Sequence, residues 1–138
     1  MALSAGTADL VLLVGRVLFG GVLAFMGLNH FVQVEGMAGY AESKGIPAPG
    51  VSVIVSGLLL VAGGLGIVVG AFPLLAAAAL TLFFVVATPT MHDFWRAAEE
   101  EQQEEMTQFL KNAALLGAAL TFIALSADTW DYALEVGL

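Results

Sequence analysis

Residues 88–117 read TPTMHDFWRAAEEEQQEEMTQFLKNAALLG, and this stretch decides the fold. It holds His92, Asp93, Trp95, Arg96, five glutamates and the Lys111–Asn112 pair. On both sides the sequence is almost wholly apolar. A polar hinge between two apolar helices has to face water, so the helices themselves must lie in a medium that is not water. The roots of the hinge, near Met91 and Phe109, mark the boundary between the two.

Composition agrees. Of 138 residues, 59% are hydrophobic and 12% charged, with mean hydropathy +0.93. A soluble domain carries roughly 45–50% apolar and about 25% charged residues. The length suits a single domain over residues 1–138. Without cysteine the chain has no disulfide, thiolate metal site, iron–sulfur cluster or thiol nucleophile. Twelve acids against four cations give a net charge of −8. That balance leaves no basic patch for nucleic acid and no polybasic segment for lipid head groups. A solvated, self-repelling rim accounts for the acids; a halophilic adaptation to high salt accounts for them equally well.

Four runs approach the ~20 residues that cross a hydrocarbon core. They cover residues 10–31, 51–70, 72–91 and 109–125. The amino-terminal run lacks a positive leader and is long enough to span, so it is expected to stay in the mature protein. Within residues 32–50 the segment Gly36 to Lys44 suits a short amphipathic helix with Met37, Tyr40 and Ala41 on one face. Gly45 is its stop. Pro73 suits the first turn of the third span. The hinge lacks Gly and Pro between residues 92 and 108, so both flanking helices are expected to run on into water, with the turn at Glu99 to Gln103. Trp95 on the hinge side, and Trp130 with Tyr132 on the other, are candidate interfacial anchors.

Helices in lipid need small residues for close approach. A stripe at residues 16, 20, 23, 27 and 30 marks one face of the first span. Ser52, Ser56, Leu59, Gly63, Gly66 and Gly70 mark the second, and Thr81, Val85, Thr88 and His92 the third. The expected fold is all-α, an integral membrane antiparallel four-helix bundle with both termini on one side. Lys44, Arg96 and Lys111 share the hinge side, and Arg16 with the amino terminus the other. The positive-inside rule then puts both termini outside.

Up-and-down topology gathers Asn29, His30, His92, Asp93, Lys111 and Asn112 at the hinge end. Lys111 with Asp93 is one available pair. Arg16 lies ~21 Å from His30 at 1.5 Å per residue; it can snorkel to the far interface or pair with Asp9 or an acid of the tail. Ionisable groups at membrane depth are costly and usually pair or line a pocket. Three readings stay open: helix-end hydrogen bonds that fix the bundle, a quinone head-group pocket served by His30 or His92 with Lys111 or Asn112, and a haem with His30 and His92 as axial ligands. A transition-metal site has too few ligands. The glutamate run is a solvated turn, a docking surface for a soluble partner or a weak cation site.

Four motifs carry a family resemblance across most of the chain. They are RVLFGGVLAFMGLNHF at residues 16–31, GYAESKGIPAPG at 39–50, GLLLVAGGLGIVVG at 57–70, and MHDFW at 91–95 followed by EMTQFLKNAALLG at 105–117. Together they resemble the DoxX family of small four-helix membrane proteins. The pattern departs at Leu60, where many members carry a glutamate before the glycine pair, so that carboxylate's role does not carry over. The family takes its name from a small subunit of a thiosulfate:quinone oxidoreductase. The resemblance therefore implies an accessory, more readily non-catalytic, subunit of a membrane redox system, in an oligomer or larger complex. The alternative is a structural or oligomeric protein forming a pore or small-solute carrier.

Overall fold

A computed structural model describes residues 2–138. Among the described residues there are five α-helices and one short 3-10 turn. They are α1 (Ala5–Val32), α2 (Val34–Ser43), α3 (Pro49–Val69), α4 (Pro73–Met91) and α5 (Glu99–Leu125), with the turn at Phe94–Arg96 before α5. Four of them, α1, α3, α4 and α5, are long and apolar enough to cross a membrane. The short α2 covers the amphipathic segment, and Gly45, at φ 77°, follows it in the left-handed region that glycine tolerates.

Local chemistry sets the ends. Ser4 Oγ accepts the Thr7 N–H at 3.3 Å and starts α1. Pro49 and Pro73 open α3 and α4, where a missing N–H costs nothing. The hinge differs from expectation. The turn falls at residues 92–98, ahead of Glu99–Gln103, and α4 stops at Met91. Pro89 weakens the last turn of α4 by removing a helical donor. Glu99, Glu100 and Glu101 occupy the first turn of α5, where carboxylates suit the positive end of the helix dipole. Only α5 runs on past the apolar region, by about 15 Å at 1.5 Å per residue.

The first-span stripe is buried as expected: Arg16, Gly20, Leu23 and Gly27, joined by Ala24. Residue numbers climb along α1 as they fall along α3. Gly27 meets Gly57 and Leu60, and Gly20 meets Gly64 backbone to backbone. A Cβ at either Gly20 or Gly64 would strike the other's carbonyl oxygen. On α3 the expected stripe is displaced by one residue, and the buried set is Val53, Gly57, Leu60, Gly63, Gly64 and Ile67. The reason is that α3 serves two neighbours. It turns Gly57, Leu60 and Gly64 to α1, and Gly63 and Gly66 to Ala76 and Leu80 of α4. On α4 the buried face is Ala76, Ala77, Leu80, Phe84 and Thr88, whereas Val85 points outward at 52% exposure.

The core joins Leu23, Leu60, Ile67, Leu80, Phe84, Ala119 and Phe122, closed at one end by Trp130. Phe19 of α1 stacks on Phe122 of α5 with centroids 5.2 Å apart. Outside, Leu18, Phe25, Leu58, Leu82 and Leu120 are exposed. An apolar girdle over helices that satisfy their own backbone is the surface a bilayer requires.

Candidate functional site

Polar groups gather at three places. At the terminal end Arg16 is fully buried. Its Nε donates to the Ile67 carbonyl at 3.0 Å and its Nη2 to the Val68 carbonyl at 2.8 Å. Nη1 donates to Asp131 O at 2.8 Å, and Nη2 also to Tyr132 O at 3.1 Å. The guanidinium lies 5.2 Å from the centroid of the Trp130 ring, whose Nε1 donates to Leu125 O at 2.9 Å. Arg16 therefore neither snorkels nor takes a carboxylate. Its planar fork of donors matches a cage of carbonyls at the end of α3, which is the negative end of that helix's dipole.

At membrane depth on the hinge side sits His30, half-buried in the last turn of α1. Its Nδ1 lies 2.8 Å from Ser56 Oγ and 3.2 Å from the Val53 carbonyl. Ser56 Oγ–H donates to that same carbonyl at 2.8 Å. The Val53 carbonyl can only accept, so in the neutral ring the tautomer with its proton on Nδ1 suits this site and leaves the lone pair on Nε2. The ring meets Phe83 edge-on at 6.2 Å.

At the hinge surface two links join α2 to the α4–α5 connection. Lys44 Nζ pairs with Asp93 Oδ1 at 2.7 Å. Tyr40 Oη donates to Glu105 Oε1 at 3.2 Å, and Glu105 Oε2 lies 3.1 Å from His92 Nδ1. An open cavity of about 680 Å³ lies beside them, lined in part by Tyr40, Lys44, Asp93, Arg96 and Glu105. The hydrogen bond to Asp93 holds the Lys44 ammonium above the ordinary lysine range. Burial, followed by the neighbouring Glu105 carboxylate, pushes the Tyr40 hydroxyl up.

The expected cluster is thus divided. His30 belongs to α3 and Phe83, while His92 and Asp93 belong to the hinge surface. Asp93 takes Lys44, not Lys111, because α2 packs on α3 and the Lys44 side chain at its end reaches across to the hinge. Lys111 is exposed and Asn112 half-buried, and neither side chain makes a hydrogen bond among the described residues. Asn29 is half-buried, its carbonyl accepting the Gln33 N–H at 2.9 Å. Trp95 is 52% exposed and packs edge-on against Phe94 and Phe109, a suitable interfacial anchor. Among the described residues no group of three or more His, Asp or Glu could hold a metal ion. Tyr40, Lys44 and Glu105 are not among the site residues that the sequence proposes. The scarcity of cations was the available signal: with four against twelve acids, each cation has a choice of partners.

Four apolar spans, polar groups held at their ends, and an apolar outer surface define a multi-pass helical protein of the cell membrane. The DoxX family model matches residues 11–93, and the chain belongs to that family. The match takes in Arg16, His30, Tyr40, Lys44 and Asp93, and leaves Glu105 outside. Among curated proteins, the inner membrane protein YphA of Escherichia coli (strain K12) is 27% identical over 113 residues, covering 80% of this chain and 79% of its own. No solved structure matches.

Proposed function

We propose that the protein is an accessory, non-catalytic component of a quinone-linked membrane redox system, and that it takes the head group of a lipid-soluble quinone or quinol beside His30. The observation that carries this reading is His30 itself. It is an ionisable side chain at membrane depth, and such residues are costly unless they serve a pairing or a ligand. One ring nitrogen is fixed by Ser56 and Val53, which leaves Nε2 as an acceptor suited to a quinol hydroxyl. Phe83 supplies an aromatic wall for a planar ring. The half-buried Asn112 is available as a further polar group, while the exposed Lys111 is better suited to water. The family's association with quinone chemistry points the same way.

The haem reading gains no support from this arrangement. His30 and His92 sit in separate hydrogen-bonded groups, and no ring contact joins them among the described residues. A pore through one protomer is also poorly supported, because Leu23, Leu60, Ile67, Leu80 and Phe84 fill the interior. The test is solvent extraction of purified protein together with its absorbance spectrum. Quinone or quinol should co-purify with the wild type, and the quinol share should fall several-fold with His30→Leu. A wild type free of quinone that also fails to take up a short-tailed quinone contradicts the proposal.

A further inference from the structure

Thr88 breaks a rule that its neighbours keep. Thr81, Thr90, Thr107 and Thr121 each donate their hydroxyl to the carbonyl four residues back, at 2.8, 2.7, 2.9 and 3.0 Å. This is the usual resting place for a helical threonine. Thr88 is 5% exposed, and its Oγ1 has no hydrogen-bond partner. It is the one buried side-chain polar atom so placed among the described residues. Leaving a buried hydroxyl unpaired costs about 1–3 kcal/mol, and such a group calls for a partner that the chain does not supply. The next residue, Pro89, lacks the N–H that would have served the Val85 carbonyl. The last turns of α4 therefore hold an unpaired hydroxyl and a weakened backbone ladder, at the hinge end where His30 also lies. Thr88 lies one turn beyond Phe84 on the same face of α4, and Phe84 abuts Phe83, the ring that meets His30.

We infer that Thr88 is the second polar anchor of the head group, donating its hydroxyl to a ring carbonyl of the oxidised quinone. The inference rests on the quinone reading above and adds a division of labour to it. A hydroxyl freed from its own backbone is a donor for a carbonyl, the group that the oxidised ring presents. His30 Nε2 is an acceptor for a hydroxyl, the group that the reduced ring presents. Thr88 then sets affinity for the quinone and His30 affinity for the quinol. Their balance fixes which redox state the protein holds.

The experiment uses the full chain in lipid nanodiscs, with equilibrium dialysis of a short-tailed benzoquinone and, separately, of its quinol. Thermal unfolding is recorded without ligand. Thr88→Val keeps the shape and removes the donor; Thr88→Ser keeps the donor. Thr88→Val should weaken quinone binding about tenfold, leave quinol binding within about twofold, and leave the unfolding temperature unchanged or raised. Thr88→Ser should bind quinone like the wild type. Equal quinone affinity for wild type and Thr88→Val overturns the inference and leaves the quinone reading standing. A lowered unfolding temperature for Thr88→Val overturns it too, because the hydroxyl would then have a partner in the ligand-free protein. A wild type that binds neither ring form removes the quinone reading itself.

Discussion

Arg16 Nη2 donates to the Val68 carbonyl at 2.8 Å, tying the first span to the end of the second. With it, the last four carbonyls of α3 are all accounted for. Gly66 O accepts the Gly70 and Ala71 N–H groups, Ile67 O and Val68 O accept Arg16, and Val69 O accepts Leu134 N–H. A helix end carries four such orphan acceptors. Water would serve them at a surface; here the two residues after the helix serve one, and the Arg16 side chain and the tail serve the other three. The tail is held in turn, since Asp131 and Tyr132 give their carbonyls to the same guanidinium.

Replacing Arg16 should therefore release the tail and the end of α3 together. Arg16→Ala should cost on the order of 3 kcal/mol or more, since four carbonyls lose a charged donor. Arg16→Lys should recover less than half, because an ammonium cannot match the planar fork. Thermal unfolding in detergent measures the loss. Faster proteolysis of residues 127–138 in both variants should accompany it.

Helix contact in lipid depends on backbone approach, which makes glycine positions separable. Gly64→Ala should destabilise by about 1–3 kcal/mol, because its Cβ has no room beside Gly20 and Ala24. Gly15→Ala meets nothing within 4 Å and should gain about 0.5–1 kcal/mol from helix propensity. Unfolding of the two variants side by side checks both signs. Similar losses at both sites would mean that the α1–α3 crossing is not held by close approach.

The link between α2 and the hinge should survive neutral pH and fail in strong alkali. Lys44 and Tyr40 both have folded values raised above their ordinary ones. A raised group contributes fully below its unfolded value and loses that contribution as pH climbs through the folded one. The expected window is above about pH 10. The chain has no cysteine, so a nitroxide on Glu35→Cys reports α2 alone. Its spectrum should stay constant from about pH 6 to 9 and sharpen above about 10. Sharpening near neutrality would point to a different clasp.

Much of this architecture was legible in the sequence, and the failures have physical causes. Apolar run length points to four helices long and apolar enough to cross a membrane, and the small-residue stripe on α1 matches its buried face because α1 packs mainly against one partner. The α3 stripe was misplaced because that helix packs on two sides, which a single-face pattern cannot express. For Arg16 the sequence offers only an acid or an interface. A sequence displays carboxylates as partners but hides backbone carbonyls, and these become available only where a helix ends. The hinge cluster was half right. His92 and Asp93 do lie there, but Lys44 arrives from the end of α2, and no periodicity reveals how that helix packs on α3. Thr88 was placed on a face, and its lack of a partner is visible only in three dimensions.

The central claim is that His30 holds a quinone-type head group, and equilibrium dialysis of a short-tailed quinol against protein in nanodiscs tests it most directly. Wild type should bind saturably. His30→Leu should lose about tenfold or more in affinity, and His92→Leu should stay within about twofold. Absence of saturable binding in the wild type, or an equal loss with His92→Leu, would contradict the account.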